Sequence, residues 1–108
     1  LIDNANSTGD YLRDQLRKLA ETQPLIGDVR GQGMLAAVEF VTDRATKEPA
    51  TEQTAALLEL MRDEGVLIGS TGPYENCLKL RPALVFQPRH VDHFIRSLNK
   101  CLEQINRD

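Results

Sequence analysis

Residues 29–42, Val29-Arg30-Gly31-Gln32-Gly33-Met34-Leu35-Ala36-Ala37-Val38-Glu39-Phe40-Val41-Thr42, decide the fold. Gly31 to Ala36 matches G-x-G-x-x-A letter for letter. A dinucleotide-binding fingerprint needs a strand before it and a helix after it, so that the helix N-terminus meets the pyrophosphate. Here the preceding residues, Pro24 to Val29, are broken by Gly27-Asp28. The following ones, Val38-Glu39-Phe40-Val41-Thr42, are rich in β-branched and aromatic side chains, which favours a strand. The stretch therefore reads as a glycine-rich turn or bulge leading into a strand.

On the N-terminal side, Ala5, Leu12, Leu16 and Leu19 fall on one helical stripe, with Arg13, Asp14, Arg17 and Lys18 mostly turned away from it. Gly9 shares that stripe, where a missing side chain lets another element approach closely. Pro24 and Gly27 end the helix. On the C-terminal side, Asp43 to Glu48 is a polar loop and Pro49-Ala50-Thr51 starts a second helix, with Ala55, Leu57, Leu58 and Met61 as its apolar face. Gly65 sits where a left-handed C-terminal cap belongs. Val66-Leu67-Ile68 reads as a short apolar strand, Gly72 and Pro73 as turn formers, and Leu78-Lys79-Leu80-Arg81 as a strand alternating with period 2. Pro82 and Pro88 bracket a loop. Val91, Phe94, Ile95, Leu98, Leu102 and Ile105 then keep helical spacing to the end.

The order is α-β-α-β-β-α. A crossover through the middle helix favours parallel first and second strands, and a short loop favours antiparallel second and third strands. Both conditions hold if the third strand lies between the other two. The expected fold class is α+β: a small, largely antiparallel three-stranded sheet covered by helices.

At 108 residues the chain suits one domain, residues 1–108. Thirteen Lys+Arg against sixteen Asp+Glu give a net charge of −3, which argues against a nucleic-acid footprint. No apolar run approaches the roughly 18 residues that cross a bilayer, and no signal-peptide pattern opens the chain, so no membrane role is expected. Two cysteines, Cys77 and Cys101, are too few for a disulfide scaffold and point to reduced thiols in the cytoplasm. The opening Leu1-Ile2-Asp3-Asn4-Ala5-Asn6 lacks an initiator Met and reads as a helix already under way. That suggests a piece of a longer polypeptide.

His90 and His93 share a helical face, yet no third ligand accompanies them, so no metal site is expected. Arg81 and Lys79 could supply charge near Cys77, but no His adjoins it in sequence, and packing is the better reading of both cysteines. The most informative pair is Lys79 and Arg81. On a strand they share the face opposite Leu78 and Leu80, with Cα atoms about 6.6–6.8 Å apart. No acid stands between them. A carboxylate or phosphate partner is natural for such a pair, and a solvated outer face is the other reading. The Gly72-Pro73 loop just before them opens an approach for a ligand.

Taken together, five segments resemble the C-terminal small domain of class III, pyridoxal-phosphate-dependent aminotransferases. They are residues 24–34, Val38-Glu39-Phe40-Val41, Gly65-Val66-Leu67-Ile68, Leu78-Lys79-Leu80-Arg81-Pro82 and the closing amphipathic helix. Pro49-Ala50-Thr51, the loop Gly72-Pro73-Tyr74-Glu75-Asn76 and Lys79 are similar to the branch holding phosphoethanolamine and phosphohydroxylysine phospho-lyases. Many members carry, at the position of Lys79, an arginine that grips the substrate carboxylate. Lysine replaces that two-pronged donor by a point charge, and a different anionic group becomes possible. Ala83 and Cys77 also depart from the usual residues, without touching the implied chemistry.

The resemblance implies a fold-type I enzyme whose larger domain holds the pyridoxal phosphate and its lysine. None of Lys18, Lys47, Lys79 and Lys100 lies in a matching context, so no catalytic residue and no bound cofactor are expected here. The small domain is expected to close over a small-molecule amine substrate, with Lys79 and Arg81 toward its anionic end. Gly72, Pro73 and Asn76 would form the active-site loop, in an enzyme that is a homodimer when intact. Aminotransferase activity is the leading expectation. A pyridoxal-phosphate phospho-lyase acting on a phosphorylated amine is the first alternative, and a free-standing anion-binding module is the second.

Overall fold

The computed structural model describes residues 2–33, 35–66, 68–80 and 87–107, with side chains from residue 7 to residue 106 within those ranges. Ala5, Arg81, Pro82 and Ala83 therefore lie, as side chains, outside the described residues. Helix α1 runs Ile2–Ala20, followed by strands β1 (Ile26–Arg30), β2 (Ala36–Asp43) and β3 (Glu48–Pro49). Helix α2 (Thr51–Asp63), strands β4 (Ser70–Thr71) and β5 (Cys77–Leu80), and helix α3 (Pro88–Arg107) complete the chain.

The sheet order is β1-β2-β5-β4, with β3 also paired to β2, and every pairing is antiparallel. The expected α+β arrangement is present, with the late strand β5 between β2 and β4. Two strands are added to it, β1 and β3, each a hairpin partner of β2. The second strand also lies further along than the apolar run suggests. Val66 and Ile68 are in no strand, and Leu67 lies outside the described residues. The reason is local: the Val66 N–H donates to the Met61 carbonyl at 2.9 Å and the Gly65 N–H to that of Arg62 at 2.9 Å. With Gly65 at φ +87, these two bonds form a Schellman cap, and they spend the donor a ladder at Val66 would need.

One sheet face meets the helices. Ile26, Ala36, Val38, Phe40 and Leu78 pack with Leu12 and Leu16 of α1, Leu57 and Met61 of α2, and Val91, Leu98 and Leu102 of α3 in one apolar cluster. Alternation along β2 and β5 drives this, because only every second side chain points inward. On α2 the buried residues are Thr54, Leu57 and Met61, whereas Ala55 is exposed and Leu58 half-buried, so the apolar face is rotated from the expected one. Thr54 tolerates burial because its hydroxyl donates to the Ala50 carbonyl at 2.7 Å.

Arg13 departs from its expected outward position. It is buried, and its guanidinium donates to the carbonyls of Gly33 (2.9 Å) and Leu35 (2.7 Å) and to the Asp10 carboxylate. It thereby fastens the β1–β2 turn to α1. Gly31 in that turn has φ +136, and a Cβ there would lie 2.0 Å from the Leu35 carbonyl oxygen. Glycine is obligatory at this point. The G-x-G stretch is thus the turn of an antiparallel hairpin, with no helix after it to receive a pyrophosphate.

Candidate functional site

The sheet face turned away from the helices forms the floor of a basin of about 380 Å³. Its register is fixed by the ladders. Ala37 pairs with Arg30 on one side and with Lys79 on the other, so the three side chains form one row across β1, β2 and β5. The neighbouring row is Asp28, Glu39, Cys77 and Thr71. Lys47, from the β2–β3 loop, and Gly72 to Tyr74 complete the rim.

Charge in this basin opposes that of the chain. Three cations, Arg30, Lys47 and Lys79, line it against one carboxylate, Glu39, although the protein as a whole carries −3. Arg30 is committed: its guanidinium donates to Asp28 at 2.7 Å and to Glu39 at 3.1 Å. Asp28 first and Glu39 second hold it protonated even more firmly than usual. Glu39 thus shares one guanidinium with Asp28, and the three groups together keep a single negative charge. The side chains of Lys47 and Lys79 are exposed and have no hydrogen-bond or ion-pair partner among the described residues. Cys77, half-buried beside this row, has its thiol pushed up by burial and by Glu39, an effect that Arg30 only partly offsets. It is a poor nucleophile at neutral pH.

The loop carrying Gly72, Pro73 and Asn76 is fastened from below. Asn76 is 3% exposed; its side-chain amide donates to the Phe40 carbonyl at 2.8 Å, and its own carbonyl accepts from the Phe40 N–H at 2.8 Å. Gly72 (φ +90) and Glu75 (φ 51) make the turn. The Thr51 hydroxyl, at the start of α2, donates to the Tyr74 carbonyl at 2.7 Å, leaving the Tyr74 ring exposed at the rim. All three expected loop residues therefore line the basin, with Asn76 as its anchor rather than a free polar group. Lys79 lines it as well. Arg81 lies outside the described residues.

The sequence reading missed Arg30, Glu39 and Lys47. Period-2 alternation through Val38-Glu39-Phe40 was the available signal for Glu39. Arg30 and Lys47 depend on a hairpin register that no local pattern encodes. His90, in the first turn of α3, has a structural role: its Nδ1 accepts from the Gln87 N–H at 2.9 Å, one half of a capping box. Asp92 accepts the Tyr11 hydroxyl at 2.5 Å. Among the described residues no group of His, Cys, Asp and Glu could hold a metal ion, and no helix is long and apolar enough to cross a membrane.

All four lysines are exposed, and Lys100 donates to Glu64 at 2.8 Å. None is enclosed in the desolvating pocket that lets a lysine amine form an imine at neutral pH. Among the described residues, the lining of the basin offers the exposed ammonium groups of Lys47 and Lys79 and the half-buried thiol of Cys77.

The model of the family described as aminotransferase class III matches residues 1–102. The chain is 38% identical over 110 residues to taurine–pyruvate aminotransferase of Bilophila wadsworthia, covering 97% of this chain and 24% of that protein. It is 36% identical over 105 residues to the mitochondrial alanine–glyoxylate aminotransferase 2 homolog 2 of Arabidopsis thaliana, covering 97% and 22%. Among solved structures, a phospholyase from Arthrobacter in complex with phosphoethanolamine superposes with a TM-score of 0.85 at 36% identity, over 93% of this chain and 24% of that one. The chain thus spans about a quarter of the length of these relatives. It belongs to the class III aminotransferases, a family that depends on pyridoxal phosphate.

Proposed function

We propose that this chain is the small C-terminal domain of a pyridoxal-phosphate-dependent aminotransferase, and that its basin receives the anionic end of an amine substrate. Lys79 is the contact nearest that end. The observation carrying this reading is an exposed, unpartnered ammonium beside a carboxylate already bound by Arg30. An incoming anion there meets an ammonium that no carboxylate of the protein already holds. Gly72, Pro73 and Asn76 shape the rim, and Arg81 is the second contact proposed from sequence. The cofactor, its lysine and the proton transfers that it supports belong to the part of the enzyme outside residues 1–108. The intact enzyme is proposed to be a cytoplasmic homodimer.

A phospho-lyase is the second reading. Lysine at position 79 supplies a point charge rather than a planar fork, which suits a phosphate as well as a carboxylate. Likeness to the Arthrobacter phospholyase supports it. Assay of the full-length enzyme separates the two. Amine transfer that requires a keto-acid acceptor supports the aminotransferase. Release of phosphate and an aldehyde without an acceptor supports the lyase. Neither reaction with any amine would contradict both readings.

A further inference from the structure

We propose that Lys47 is a further contact for the substrate's anionic end, beside Lys79, and that it tilts the basin toward a doubly charged, phosphate-type group over a single carboxylate. This rests on the reading of the basin given above. Phe40 explains how Lys47 reaches it. Its N–H bonds to the Asn76 carbonyl, and its carbonyl accepts both the Asn76 amide and the Ala50 N–H (3.1 Å). β5 and β3 therefore meet end to end along one side of β2. The β2–β3 loop, with Lys47 at its end, is carried to the basin that Lys79 lines.

The loop conformation is specific. Asp43 Oδ1 accepts the N–H groups of Ala45 (2.7 Å) and Thr46 (3.3 Å), and the Asp43 carbonyl accepts the Lys47 N–H at 2.8 Å. These bonds hold Lys47 at φ 60, a left-handed conformation in which glycine would be free of strain. A long cationic side chain thus occupies a position whose backbone favours none. Its ammonium has no partner among the described residues, and the single carboxylate of the basin is bound by Arg30. Two separate ammonium groups match the several oxygens and double charge of a phosphate monoester. A carboxylate, with one charge, gains less from a further ammonium once Lys79 holds it.

The test uses the full-length holoenzyme and two ligands that differ at the anionic end, phosphoethanolamine and β-alanine, titrated calorimetrically. Lys47→Gln is expected to weaken phosphoethanolamine about five- to tenfold and to leave β-alanine within about twofold. Lys47→Arg, which keeps the charge, is expected to restore phosphoethanolamine binding. Equal weakening of both ligands, no change in either, or no rescue by arginine would overturn the role of Lys47. Lys79→Gln is the control for the underlying reading. If it weakens both ligands while Lys47→Gln weakens neither, the basin stands without Lys47. If Lys79→Gln changes neither, the basin itself is not the anion site. Lys47 is exposed on a loop, and an unchanged melting temperature will show that its variants fold.

Discussion

Lys79 faces Ala37 across the β2–β5 ladder, with the Arg30–Glu39 ion pair alongside. This pairing gives the ammonium a methyl-sized neighbour where an acid would neutralise it. The acid that could do so, Glu39, stands two residues along β2 and accepts from Arg30. Two ammonium groups, Lys79 and Lys47, gathered on a face lined by a single carboxylate distinguish the basin from an ordinary solvated sheet face.

Gly31 and Gly65 both have positive φ, yet they differ in the space around them. A Cβ at Gly65 meets nothing within 4 Å, so Gly65→Ala should cost only the left-handed conformation, about 1 kcal/mol. Gly31→Ala adds a clash with the Leu35 carbonyl and should cost about 2–4 kcal/mol. Urea unfolding of the two variants measures the difference. Equal losses would mean that the β1–β2 turn is not held as described.

Arg13→Met should destabilise the protein by about 2–4 kcal/mol, because it leaves the Gly33 and Leu35 carbonyls without their donor while keeping most of the side-chain volume. Arg13→Lys should recover little, since one ammonium cannot reproduce the fork that reaches two carbonyls and Asp10 together. Chemical denaturation checks both. Hydrogen exchange should quicken at the ends of β1 and β2 that flank the turn.

Stability should also depend on pH on the alkaline side. The thiols of Cys101 and Cys77 lie above the ordinary value near 9, first through burial and next through Glu64 and Glu39 respectively. A group raised in the folded state adds stability that is complete below its unfolded titration and is lost as pH rises through the folded one. Stability should therefore hold through neutral pH and fall above about 8.5–9. Cys101→Val should flatten that fall, as read from urea midpoints between about pH 7 and 10. An undiminished slope in the variant would assign the loss to other groups.

Much of this architecture was legible because it is local. The alternation of Leu78 and Leu80 with Lys79 located β5 and its exposed face, and Gly65 announced the end of α2 through the one backbone conformation that it permits. The position of β5 between its neighbours followed from connection lengths alone. Val66-Leu67-Ile68 misled for a physical reason: an apolar run shows burial without showing which hydrogen bonds the backbone has left, and the helix cap had already taken that of Val66. Arg13 misled because a guanidinium can be buried when carbonyls receive it. The basin was half visible. Lys79 and the Gly72–Asn76 loop could be named, whereas Arg30, Glu39 and Lys47 came into view only with the pairing of strands distant in sequence.

The most direct test of the site is a crystal structure of the full-length enzyme with its amine substrate bound. The account predicts the Lys79 Nζ within hydrogen-bonding reach, about 2.7–3.2 Å, of an oxygen on the substrate's anionic end, with the Arg30–Glu39 pair intact beside it. A substrate whose anionic end is held elsewhere, with the Lys79 ammonium facing only water, would contradict it.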